Sequence, residues 1–358
     1  RSAIQSDILL GHSKKFEEHF FFTIKDRGKF VAFVKSVGVT RAIDVYHLAG
    51  EKKTYFTHKP VPSVRLAIGF TAKGLDMIGR MPAPGLALLQ PLLDTLAGRA
   101  VQNLNDPDPS TWLVKADDSL HGVLVVTAES EQELKELGQD IQSGENSGGY
   151  ALIGTSFRGN VRKGKKAGHE HFGFLDGVSQ PGLRGRLDQA ATIPLTANVK
   201  GGDPDQGEPG QDLLWPGEFI FGLPAQKPGA DDFTEEGLPH DVPHLWHNGS
   251  FMVIRRLIQF VPEFHAGVKA AATAAGMAAQ LLETHLVGRW PNGSPLNKVT
   301  TAPAANAPDD FDNDFEFGGD RDGLVCPWAA HVRKTYPRDD VPGNVNPNPL
   351  EIEAPEAA

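Results

Sequence analysis

Two apolar strands, each followed at once by an amphipathic helix, constrain the fold of this chain more than any other feature. "EHFFFTIK" (18–25) reads as a buried strand, and "GKFVAFVKSVG" (28–38) then places Phe30, Phe33, Val34 and Val37 on one helical face. "HGVLVVTA" (121–128) is a second apolar strand, and "ESEQELKELGQDIQSG" (129–144) follows as an acid-capped helix closed by Gly144. Antiparallel pairing of two such units predicts an α+β module of the ferredoxin-like kind. Residues 195–212, rich in Pro, Gly and Asp, read as a linker or long loop. The pattern then restarts, with strands expected at 217–223 and 249–260 and one long helix over 262–288, begun by Pro262 and ended by Gly288. "KFVAFVKSVG" and "EFHAGVKAAA" each follow an apolar strand, which hints at an internal duplication. The second copy reads as incomplete, because nothing after residue 288 matches the second strand–helix unit. The expected domains are 1–195 and 196–358, two ferredoxin-like modules of which the second is partial.

Composition removes several classes. With 40% hydrophobic and 22% charged residues the chain is an ordinary globular one. A formal net charge of −10 argues against a nucleic-acid partner, which needs a basic face. No apolar run is long enough to span a bilayer, since the Ala-rich stretch 267–282 is interrupted by Lys269 and Gln280. One cysteine, Cys326, forms no internal disulfide, the usual picture for a cytosolic protein. The sequons at Asn248 and Asn292 become glycosylation candidates if the protein is secreted. A first residue other than Met reads as removal of an N-terminal segment, and the polar, Pro-rich end 339–358 reads as an exposed tail.

Two stretches carry chemistry. "HFGFLDGVSQPG" (171–182) sets Asp176 between glycines in apolar surroundings. It is either a turn whose Asp bonds its own backbone or a carboxylate kept for use. "CPWAAHVRKTYPR" (326–338) reads as a helix opened by Pro327 and stopped by Pro337, with His331 in its middle. Small residues before His331 let a flat ligand approach, and Arg333, Lys334 and Arg338 add positive charge. That set suits an imidazole on haem iron with cations near the propionates, or else a partly buried helix histidine above a solvated basic face. His240, His244 and His247 read as exposed loop histidines or a metal site. His169 and His171 would face the same side of an extended segment. Trp328 and Tyr336 read as packing aromatics or electron relays. A thiolate role for Cys326 fits less well than the imidazole.

Together these stretches resemble the dye-decolourising peroxidases, specifically their fungal branch. "GFLDG" matches the family's Gly-x-x-Asp-Gly motif and "AAHVRKTYPR" its proximal-histidine segment. "QSDILLGHSKKFEEHFFFTI", "GFTAKGLDMIG" and "HLVGRWPNGSPL" are further similar segments in family order. The resemblance implies two modules of the dimeric α+β barrel type with haem b held in the second. It implies Asp176 as the distal acid–base residue, His331 as the proximal iron ligand, and cofactor contacts from Gly173, Phe174, Leu175, Gly177, Val178, Ser179 and Arg333. His171 becomes a candidate for the distal pocket. With no Cys-x-x-Cys-His motif, the haem is expected to be noncovalent. An Asp base stays ionised where a His would be protonated, the reference pKa values being ~3.9 and ~6.5.

The implied activity is peroxide-driven oxidation of bulky aromatic donors such as dyes and phenols, with carotenoid-like alkenes as a further class, in a secreted protein. The family's distal arginine lies beyond the proximal histidine, and the carboxylate behind the imidazole lies further still. The 27 residues after His331 match neither. The expectation is therefore a second polypeptide that completes the C-terminal module, with a homodimer of the cleaved unit as a candidate assembly. Two other readings stay open: a haem carrier or sensor without turnover, and a non-haem α+β binding protein in which Asp176 is a turn residue.

Overall fold

A computed structural model describes residues 4–10, 14–42, 64–81, 106–114, 117–179, 181–183, 210, 213–227, 236–336 and 338. The linker expected at 195–212, Gly210 apart, the stop at Pro337 and the tail 339–358 lie outside the described residues.

The first half is a closed antiparallel module. After a short helix α1 (Ser6–Leu10) come β1 (Phe16–Ile24), α2 (Arg27–Val37), β2 (Val64–Phe70), α3 (Ala72–Met77), β3 (Gly122–Ala128), α4 (Glu131–Gly144), β4 (Tyr150–Leu152) and β5 (Phe157–Asn160). The strand order is β2-β3-β1-β4, with β5 also on β1, and all of these pairings are antiparallel. This is the ferredoxin-like order that the two strand–helix units predict. Caps set the helix starts. The Asp26 side chain accepts from the Lys29 amide, and Ser130 with Glu133 forms a reciprocal capping box.

The sheet has two apolar faces. Phe20, Phe22, Ile24, Leu66, Ile68, Leu124 and Val126 pack under α2 and α4 with Phe30, Phe33, Leu134 and Ile141. Phe21, Ala67, Val123 and Val125 make the opposite face, where Ile254 of the second half packs. β3 is buried along its whole length for that reason.

The second half departs from the expected pattern. Residues 217–223 form a 3₁₀ turn, Pro216–Glu218, and bends rather than a strand. Residues 251–260 pair with no strand among the described residues. Their alternation is spent on packing across the first sheet: Met252 touches Gly69, Ile254 joins the opposite-face cluster, and Arg256 lies 4.4 Å over the Phe157 ring. Face-to-face packing needs period-2 sequence as much as edge pairing does, so the pattern alone misleads.

The long helix expected over 262–288 is two, α5 (Val261–Ala274) and α6 (Ala279–Val287). Gly276, at φ 66°, ends α5 in a Schellman motif: its amide donates to Thr273 and that of Met277 to Ala272. The proximal segment is helical only over α7 (His331–Thr335). Pro327 instead opens a turn closed by Ala330, so His331 is the first helical residue and not a central one.

Candidate functional site

The Gly-x-x-Asp-Gly stretch folds as a narrow hairpin. The Asp176 amide donates to Gly168 (2.8 Å), His169 and Leu175 form an antiparallel bridge, and the Glu170 amide donates to Phe174 (2.9 Å). Gly173 closes the tip by donating to Glu170 (3.1 Å). Gly173 and Gly177 have φ of 110° and 71°, and a methyl added at either would meet nothing within 4 Å. Backbone conformation requires these glycines, and open space lies in front of them. Phe174 and Leu175 are buried anchors, while Val178 and Ser179 are half-buried.

Asp176 is exposed. One carboxylate oxygen accepts from the Gly177 amide (2.8 Å), and the other has no partner among the described residues. His171 is exposed at the tip, and His169 lies 3.6 Å from Asp309.

The hairpin and the His331 segment meet the same piece of chain. The Leu175 amide donates to Pro291 (2.9 Å), and its side chain packs against Gly293. Gly288, three residues before Pro291, lies against Val332, Cys326 and Ala330. Gly288 takes φ 90° at the end of α6, which turns the chain from one motif to the other. The His331 imidazole is exposed and has no hydrogen-bond partner among the described residues.

Arg333 follows His331 by two residues in α7. It is buried, and its guanidinium binds Asp320 (3.1 Å) and the Cys326 carbonyl (2.5 Å), between the rings of Phe317 (4.6 Å) and Trp328 (4.2 Å). Those contacts hold α7 in place and make Trp328 a packing partner. Burial raises the Asp320 pKa, but hydrogen bonds from Val325 and Cys326 and the Arg333 charge outweigh it, so the net shift is downward. Beneath lie two more buried guanidiniums, Arg289 and Arg338, which share the Asn313 side-chain oxygen at 3.0 and 2.6 Å. Burial, then the charge of Arg338, pulls the Arg289 pKa down to about 10. Asp310, Asp312 and Asp320 lie close enough to balance these guanidiniums. Cys326 is buried and free.

His240 sits 3.5 Å from Glu218, and the rings of His244 and His247 are 4.7 Å apart. Among the described residues no group of three potential metal ligands gathers.

The donor set fits haem. Among the described residues, an exposed imidazole without a partner follows small residues, a carboxylate with one unengaged oxygen stands on an open glycine-flanked hairpin, and both rest on residues 288–293. Sequence reading missed Glu170, whose carboxylate fills the hairpin. A Glu two and four residues ahead of amides in a glycine turn is the only signal it offers.

Known proteins agree with this architecture. Residues 3–163 match the DyP dimeric alpha+beta barrel domain. A dye-decolorizing peroxidase of Exidia glandulosa is 30% identical over 378 residues, covering 99% of this chain and 67% of that protein. Dye-decolorizing peroxidase msp1 of Mycetinis scorodonius is 29% identical over 361 residues, covering 98% of this chain. The crystal structure of a fungal DyP-type peroxidase from Auricularia auricula-judae superposes with a TM-score of 0.73 at 27% identity, covering 97% of this chain and 70% of that one. A dye-decolorizing peroxidase in complex with 2,6-dimethoxyphenol gives 0.72 at 30% identity, covering 96% and 72%. The fold class is therefore that of the α+β barrel peroxidases, and the chain belongs to the dye-decolourising peroxidase family, on its fungal side. It spans 63% and 60% of the length of two Mycetinis scorodonius relatives.

Proposed function

We propose that this chain forms the haem-carrying part of a peroxidase that uses hydrogen peroxide to oxidise bulky aromatic compounds such as dyes and phenols. The observation that carries the reading is the convergence of the Asp176 hairpin and the His331 helix on residues 288–293. It is supported by relatives named as dye-decolorizing peroxidases, one of them solved with a bound phenol and another with an engineered heme pocket.

Haem b, held without a covalent link through the His331 imidazole, would supply the redox-active iron. The protein residues do the rest. The oxygen of Asp176 that is unengaged among the described residues would accept a proton from one oxygen of hydrogen peroxide and hand it to the other, with the electrons and an acceptor for the remaining oxygen coming from the bound haem. Phe174 and Leu175, buried just before Asp176, anchor the hairpin strand that carries it. Arg333 and Asp320 fix the turn that aims His331.

The test is a Soret band in the purified protein together with peroxide-dependent dye oxidation. Asp176→Asn is expected to keep its haem and slow the peroxide step by ~10²–10⁴, the usual worth of general acid–base catalysis. A Soret band without turnover in the unmutated protein would favour the carrier or sensor reading. No Soret band would favour the non-haem one.

Two further parts of the reading concern partners and place. Val253, Leu257, Ile258 and Phe260 are 73%, 68%, 78% and 63% exposed along a segment with no strand partner among the described residues. Such an apolar row needs cover, and a second polypeptide adding strands there, and with them a distal arginine, supplies it. Mass measurement under denaturing and native conditions reads both that polypeptide and any homodimer. Secretion is supported by the half-buried sequon residue Asn248 in a turn at φ 69°, and a mass loss on deglycosylation tests it.

A further inference from the structure

The hairpin that carries Asp176 is folded around one side chain. Glu170 Oε1 accepts from the Phe174 amide (2.8 Å) and Oε2 from the Phe172 amide (2.7 Å), so both inward-facing amides of the tip end on the same carboxylate. Oε2 also accepts from the Gln259 side chain (2.8 Å), which belongs to the second half of the chain. No cation pairs with this carboxylate among the described residues. Arg162, the nearest basic donor, instead reaches the backbone carbonyls of His169 and Glu170. The charge is thus held by amide donors alone. Phe172, next to the turn, stacks on Phe264 of α5 at 4.5 Å. The hairpin is therefore gripped from the second half at two points, Gln259 and Phe264, and from residues 291–293 at a third.

We infer that Glu170 is a positioning residue for peroxide chemistry: its carboxylate presets the hairpin, and through the 168–176 pairing it sets where the Asp176 carboxylate stands. The inference rests on the peroxidase reading for its consequence, though not for its structural content. A carboxylate is required because two amides and one side-chain amide converge on two oxygens, and a carboxamide would turn an N–H toward one of those donors. Burial pushes the Glu170 pKa up, but the bonds from Phe174, Phe172 and Gln259 outweigh it and hold the group ionised below the ordinary range. The hairpin thus keeps its shape in mild acid, where an imidazole in the same place would change charge.

The experiment compares the full chain with Glu170→Gln by amide hydrogen exchange, and the haem-loaded forms by stopped-flow mixing with peroxide. Exchange at Phe172 and Phe174 is expected to rise about tenfold or more, the worth of a charge-assisted hydrogen bond, with β1–β3 amides unchanged. The peroxide step is expected to slow about tenfold, and Glu170→Gln/Asp176→Asn to be no slower than Asp176→Asn alone, because one residue acts through the other. Unchanged exchange at both amides would overturn the positioning role whatever the chemistry proves to be. Changed exchange with full multiplication of the two kinetic losses would overturn the route through Asp176. If the unmutated chain shows no peroxide step, the peroxidase reading fails, and the exchange result still stands on its own.

Discussion

The two halves of this molecule are built from opposite materials. Residues 16–160 form a ladder-bonded sheet under two capped helices, with apolar side chains on both faces. The described residues of 213–338 form turns, two medium helices and a five-residue helix, with buried arginines stacked on a small apolar cluster of Phe315, Phe317, Cys326 and Ala330. The first half is held together chiefly by apolar burial spread over many side chains. The second is held by directional bonds to guanidiniums and carbonyls, each of which matters singly. The chemistry sits at their seam, on a hairpin that leaves the first and is gripped by the second. A rigid platform and a polar, adjustable partner thus share one site.

The sharpest way to break this contrast is Arg333→Met. It nearly keeps the volume but removes the cation from the half-buried Asp320 carboxylate, which retains the Val325 and Cys326 amides, and takes the guanidinium donor from the buried Cys326 carbonyl. Removal of one partner of a buried pair costs about 3–5 kcal/mol. The expected result is early thermal unfolding of the second half and haem loss, with exchange in the β1–β3 ladder unchanged. A lowered ladder protection would show that the halves do not unfold separately. Leu124→Ala is the reciprocal test. Leu124 is fully buried in the central strand, and its truncation is expected to cost about 2–5 kcal/mol, read as a lower denaturant midpoint for the sheet.

A smaller effect comes from pH. His121 accepts the Ile24 amide at Nδ1 (2.8 Å), so it must be neutral there, and burial lowers its pKa from 6.5. The unfolded chain then binds the proton more readily than the folded one. The stability this residue contributes is full above about pH 6.5 and is lost as pH falls through the lower folded value. The unfolding midpoint should therefore drop less between about pH 7.5 and 5.5 in His121→Gln than in the unmutated protein. An equal drop in both would remove His121 from the first half's acid response.

The same contrast explains what the sequence discloses. In the first half, strand and helix limits follow from local patterning and from Asp26 and Ser130, whose side chains cap their own helices. Val64–Phe70 escapes notice although Val64, Leu66, Ile68 and Phe70 alternate with Arg65, Ala67 and Gly69, because small and charged residues at the alternate positions blur a strand signal only seven residues long. In the second half, residues 249–260 alternate like a strand, yet one set, Met252, Ile254 and Arg256, rests on another sheet while Val253, Leu257, Ile258 and Phe260 stay exposed, and no local rule separates this case from a paired strand. Asp176 and His331 stand out through family motifs, while their meeting on residues 288–293 depends on two positive-φ glycines 115 residues or so beyond the hairpin (a separation on the scale of a domain). Glu170 is silent in the sequence because its partners are backbone amides, which every residue possesses.

Cys326 gives the second half a clock. Its thiol, the chain's only one, is 1% exposed and sits against Gly288, inside the bonds that Arg333 makes. A thiol reagent can reach it only when this corner opens, so the labelling rate of the native protein measures how often the seam comes apart. For a protein proposed to meet an oxidant on every turnover, that rate is also the rate at which its one thiol becomes open to attack. The lifetime of the protein in peroxide would then be set by the opening of a turn, independently of how fast it works.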